Sequence, residues 1–149
     1  MLNPDFRDML SAFSDRQVEY LLVGGYALAV HGLPRATGDL DLWIRPTPEN
    51  ARRAMDALQQ FGAPLMDLRE EDLCTPGTVF QIGVAPCRVD ILTAIDGVTF
   101  DEAWPNRQEI EVEGVRLRVL GRDDLIRNKR ASGRSRDRAD VERLEEPDP

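Results

Sequence analysis

Two aspartates separated by one residue, Asp39-Leu40-Asp41, lie thirteen residues beyond a Gly24-Gly25 pair. In a strand, successive side chains point to opposite faces. Asp39 and Asp41 would therefore share a face, roughly 7 Å apart at their backbone origins, while Leu40 and Leu42 enter the core. Two carboxylates on one face repel unless something positive lies between them. A divalent cation is the usual answer, because Mg²⁺ takes hard oxygen ligands and is commonly held by one or two carboxylates together with substrate phosphate oxygens. The glycine pair adds a turn whose backbone amides can approach an anion. A third acid, Asp90, stands in the apolar run Arg88-Val89-Asp90-Ile91-Leu92. If that strand lies beside the strand of Asp39 and Asp41, the two are roughly 4.8 Å apart and Asp90 faces the same cluster. Three acids would then define a site able to hold two divalent ions.

The elements that must position these residues follow from the apolar spacing. Phe6, Met9, Leu10 and Phe13 predict a helix over 4–15. Residues 18–23 read as a buried strand, Gly24 and Gly25 break it, and 26–31 favour a helix that Gly32 and Pro34 end. Alternation of acid and apolar residues predicts a strand over 39–44, and Thr47 and Pro48 open a helix over 49–61 whose inner stripe is Ala51, Ala54, Met55 and Leu58. Residues 62–76 read as a loop with helical pieces. Strands at 79–84 and 88–92, separated by Ala85-Pro86, predict one hairpin; strands at 109–112 and 115–119, joined by Glu113-Gly114, predict a second. Helices over 122–131 and 136–144, with a break at Gly133, close the chain before a frayed acidic tail.

The order of these motifs resembles the DNA polymerase β-type nucleotidyltransferase superfamily, and more narrowly its minimal bacterial members of the toxin-antitoxin and abortive-infection type. Those proteins carry a strand, a Gly-Gly or Gly-Ser turn and a helix, then an acid-x-acid strand, then a third acid on a later strand. His31-Gly32, Arg35, Thr37 and the segment 124–131 with Asp137 and Asp140 extend the likeness over residues 20–144. The resemblance implies an α/β (α+β) nucleotidyltransferase fold, a mixed β-sheet flanked by helices with further C-terminal helices. It implies Asp39, Asp41 and Asp90 as catalytic residues and metal ligands, with two Mg²⁺ or Mn²⁺ ions as cofactors and an NTP as substrate. Gly24, Gly25, Arg35, Thr37, Lys129 and Arg130 are the expected nucleotide-binding residues. Two metals would clamp the attacking and leaving oxygens of an in-line displacement at the α-phosphorus, with pyrophosphate leaving. Many members carry Ser where this chain has Gly25. An alternative reading is therefore a non-catalytic, antitoxin-like or regulatory binding protein that keeps the fold.

Whole-chain properties bound these readings. The 149 residues fit a single domain, with a catalytic core at 1–120, C-terminal helices at 121–145 and a tail at 146–149. Cys74 and Cys87 lack a C-x-x-C spacing and fit reduced thiols. No apolar run approaches a membrane span and the N-terminus lacks signal-peptide character, so the expected location is cytoplasmic, with no membrane partner. A net charge of −8 argues against a general nucleic-acid coat, yet residues 121–144 carry eight cationic against five acidic side chains. The acceptor is accordingly open between a protein hydroxyl and an RNA 3′ end such as that of tRNA, with a small molecule such as an aminoglycoside as a further class. A cognate toxin or antitoxin partner and a homo-oligomer are expected accompaniments. His31, Trp43 and Trp104 read as structural residues.

Overall fold

A computed structural model describes residues 2–34, 38–83 and 87–146. Its centre is a six-stranded mixed sheet in the order β3-β4-β2-β1-β6-β5, flanked by helices, as the sequence led us to expect. The strands are β1 (Tyr20–Val23), β2 (Leu40–Ile44), β3 (Val79–Ile82), β4 (Val89–Leu92), β5 (Gln108–Val112) and β6 (Val115–Val119). The helices are α1 (Pro4–Asp15), α2 (Gly24–Val30), α3 (Pro48–Phe61), α4 (Phe100–Ala103), α5 (Arg122–Ser132) and α6 (Ser135–Glu145).

Strands β1 and β2 pair antiparallel, and β2 and β4 pair parallel. Both expected hairpins form, as β3-β4 and β5-β6. Glu113 and Gly114 at the tip of the second both have positive φ, 53° and 81°, the conformation that two-residue hairpin turns require. The tip of the first, Ala85-Pro86, lies outside the described residues.

Alternation assigns the two sheet faces. Tyr20 pairs in register with Ile44, and its ring meets Phe13 of α1 edge-on at 5.7 Å, so α1 covers that face. Trp43 points the other way, packed edge-on against Phe100 of α4 at 5.0 Å. Leu40, Leu42 and Ile44 are fully buried, as are Ala51, Ala54 and Leu58 of α3. Thr47 caps α3 by accepting a hydrogen bond from the Asn50 amide, worth about 1 kcal/mol.

Three expectations are corrected. First, Gly24 and Gly25 do not form a separate turn: α2 begins at Gly24, directly after β1. Second, Asp39 precedes β2 rather than lying in it, because the ladder starts with the Leu40 amide donating to the Arg88 carbonyl at 2.9 Å. Third, α4 was not foreseen, although Thr99 and Glu102 form a reciprocal capping box that the sequence spells out as T-x-x-E. The loop before α4 is held tightly against α5. A Cβ added at Gly97 would lie 2.6 Å from the Ala131 Cβ and 3.0 Å from the Arg127 carbonyl oxygen.

Candidate active site

Register brings two of the three acids side by side. Asp41 of β2 pairs with Asp90 of β4, and parallel neighbours in register project to the same face. On the other side Asp41 is the register partner of Val23, the residue immediately before Gly24. The consequence at Gly24 is steric. Its φ is +70°, and a Cβ there would lie 2.1 Å from Asp41 Oδ2. This glycine is required by the approach of a carboxylate as well as by its own backbone conformation.

Among the described residues the cluster holds more acids than cations. Burial, then the charges of Asp90 and Asp39 and a hydrogen bond with Asp90, raise the Asp41 pKa to about 6, and Arg88 offsets this only in part. Asp90 is buried, with 7% of its surface exposed. Among the described residues Arg88 is the cation that engages the site. Its Nε donates to Asp90 Oδ1 at 2.9 Å, and its Nη2 donates to Asp90 Oδ2 at 3.2 Å and to Asp39 Oδ2 at 3.0 Å. Arg88 was missed as a site residue, yet its position two before Asp90 puts both on one face by the period-two rule.

The remaining expected residues fall elsewhere or outside view. Arg35 and Thr37 lie outside the described residues. Gly25 is the second residue of α2. Lys129 is buried and engaged between α5 and α6, with its Nζ 3.2 Å from Asp137 Oδ1 and 3.6 Å from Asp140 Oδ2. Arg130 is exposed and paired with Glu145. His31 is structural: its Nε2 donates to the Leu120 carbonyl at 2.7 Å, which ties α2 to the residue after β6.

Among the described residues, no three acidic, histidine or cysteine side chains converge as a ready metal cage. The donor chemistry nevertheless suits a hard divalent cation. Three carboxylates share one end of the β2-β4 pair, burial and the other two acids raise the pKa of one of them, and among the described residues the Arg88 guanidinium supplies counter-charge.

Residues 5–145 match the family described as "Nucleotidyltransferase of unknown function (DUF6036)". The chain belongs to this family. No curated protein sequence matches it. Among solved structures, the DUF6036 chain is similar to a Thermotoga maritima protein assigned as a nucleotidyltransferase, at 15% identity and a TM-score of 0.65 over 96% of this chain and 94% of that one. It is also similar to the lincosamide antibiotic adenylyltransferase LnuA in its lincomycin-bound form, at 13% identity and a TM-score of 0.60 over 97% and 96% of the two chains. A third similar structure is ANT(2″)-Ia in complex with adenylyl-2″-tobramycin, at 15% identity and a TM-score of 0.58 over 93% and 84%. At these identities the likeness shows a shared nucleotidyltransferase fold. No helix among the described residues is long and apolar enough to cross a membrane.

Proposed function

We propose that this chain transfers a nucleoside monophosphate from an NTP to an acceptor hydroxyl, with divalent ions held by Asp39, Asp41 and Asp90. The observation that carries the reading is the in-register pairing of Asp41 with Asp90 beside Gly24, which concentrates more negative charge than Arg88 neutralises. When bound, the divalent ions would neutralise charge on the phosphates and on the attacking and leaving oxygens. Asp41 and Asp90 are fixed by neighbouring strands, so their oxygens are positioned before any ligand arrives. The backbone at Gly24 and Gly25 would receive phosphate oxygens, and Arg35, Thr37, Lys129 and Arg130 remain the proposed nucleotide contacts. For Lys129 this would require release from Asp137 and Asp140.

The acceptor proposed first is macromolecular, a protein hydroxyl or an RNA 3′ end, in a toxin-antitoxin or phage-defence setting in the cytoplasm, with residues 1–149 acting as one domain. The basic α5-α6 segment of an otherwise acidic chain supports it. A second reading, transfer to a small hydroxylated molecule, is favoured by one observation. LnuA aligns over 96% of its own length and holds lincomycin, so a chain built on this core alone accommodates a small acceptor.

The test is incubation with α-labelled NTPs and Mg²⁺ or Mn²⁺, separately with cell RNA, cell protein, and panels of lincosamides and aminoglycosides. Label should move to one acceptor class and stop in Asp41→Ala and Asp90→Ala. Absence of transfer with every NTP and acceptor would leave the non-catalytic binding protein as the better reading.

A further inference from the structure

We propose that Arg88 is a built-in counter-cation of the carboxylate site, which holds Asp39 and Asp90 in the metal-free protein and opposes divalent-ion binding until it is drawn away by the nucleotide. The inference rests on the metal-dependent reading above and adds a residue that sets when the metal binds.

The geometry carries the argument. Arg88 makes a two-pronged contact with both oxygens of Asp90 and a further one with Asp39, so a single guanidinium engages two of the three proposed ligands. Such forked, charge-assisted bonds are among the stronger polar contacts in proteins. With about a third of its side chain exposed, Arg88 has water within reach, yet its nitrogens are turned to the acids. A divalent ion that takes an oxygen of Asp90 must break one of these bonds or accept a positive charge a few ångströms away, and either outcome weakens its binding. The guanidinium fork matches phosphate oxygens as well as it matches carboxylates. A bound triphosphate therefore offers Arg88 a second partner at the moment its first partners are wanted by the metal. Metal and nucleotide binding become positively coupled, and by reciprocity each tightens the other.

The experiment is Mn²⁺ titration by calorimetry on wild type, Arg88→Gln, Arg88→Lys and the double variant Arg88→Gln/Asp90→Asn, with and without a non-hydrolysable NTP. Without nucleotide, Arg88→Gln should bind Mn²⁺ about tenfold more tightly than wild type, and the added Asp90→Asn should abolish the gain. The tightening that nucleotide confers on Mn²⁺ should shrink in Arg88→Gln, a change that a merely structural arginine would not produce. Melting in EDTA should show Arg88→Gln folded but less stable than wild type. Should it not fold, Arg88→Lys carries the test, with an expected gain of roughly threefold because the charge remains but the fork is lost. Mn²⁺ binding that depends on Asp41 and Asp90 but is unchanged or weakened by Arg88→Gln overturns this inference alone. No Mn²⁺ binding by wild type or by Arg88→Gln overturns it together with the metal reading.

Discussion

Two groups of buried and half-buried acids in this chain are treated in opposite ways. Between α5 and α6, Asp137 is fully buried and Asp140 nearly so, and the cluster is neutralised by buried Lys129 and by Arg134, with a further hydrogen bond donated by Ser132. Burial pushes the Asp137 carboxyl up, but hydrogen bonds from Arg134, Ser132 and Lys129 outweigh it and hold the group well below the usual carboxylate range. At the β2-β4 pair, Asp41 shares its surroundings with two more acids and, among the described residues, one arginine, and is raised to about 6. A fold can complete the charge balance of buried acids when the task is to join two helices. The deficit at Asp41 is what the proposed divalent ions would make good.

The comparison breaks most visibly if the balanced cluster is disturbed. Lys129→Met leaves two buried carboxylates without their buried cation and should lower unfolding free energy by about 3 kcal/mol in urea denaturation, unlike a surface pair. Next is Gly24→Ala, which places a methyl on the Asp41 carboxylate at a backbone conformation that disfavours side chains. We expect a loss of about 2 kcal/mol and of Mn²⁺ binding together.

A third experiment separates the clusters by pH. The Asp41 pKa is higher folded than unfolded, so the native state holds more protons between about 4 and 6. Its contribution to stability is greatest below that window and declines as pH rises through it. Asp41→Asn should therefore raise the melting temperature of the metal-free protein at pH 8, by an equivalent of about 1 to 2 kcal/mol once partial exposure is discounted, with the gain vanishing near pH 4. Asp137 has the opposite sign: its depressed pKa supplies stability above the unfolded value, lost as pH falls through the folded one. Asp137→Asn should flatten the acid limb of the melting profile and leave the limb between pH 4 and 7 intact. The smallest effect belongs to Arg130→Ala. Its exposed pair with Glu145 is worth under about 0.5 kcal/mol, so any larger change in nucleotide affinity would speak for a binding role.

Much of this contrast can be traced in the sequence, and the limits are physical. That Asp41 and Asp90 share a face follows from period-two geometry once β4 lies beside β2, an adjacency that the sequence left as a condition and the structure supplies. Asp39 was misplaced by one residue, since a ladder's first rung depends on the partner strand, here the Arg88 carbonyl. The ion pairs of Lys129 are not legible in the sequence because its partners are eight and eleven positions away and meet it only after α6 folds back on α5. Nothing in the sequence marks Arg88 by itself, because an arginine just before a strand is ordinarily solvated. The four-residue α4 was too short for periodicity, although its Thr99-Glu102 capping box was visible.

The parallel pairing of β2 with β4 also bears on how the chain folds. Asp41 and Asp90 stand 49 positions apart in the chain, so bringing them together closes a long loop and makes this one of the entropically costlier contacts of the sheet. Docking of β4 would bring a second carboxylate up against the first. Arg88 travels on the same segment as Asp90 and enters with it, so the strand arrives with its negative charge already offset. The arginine proposed to withhold the acids from a metal ion would thus also ease their assembly.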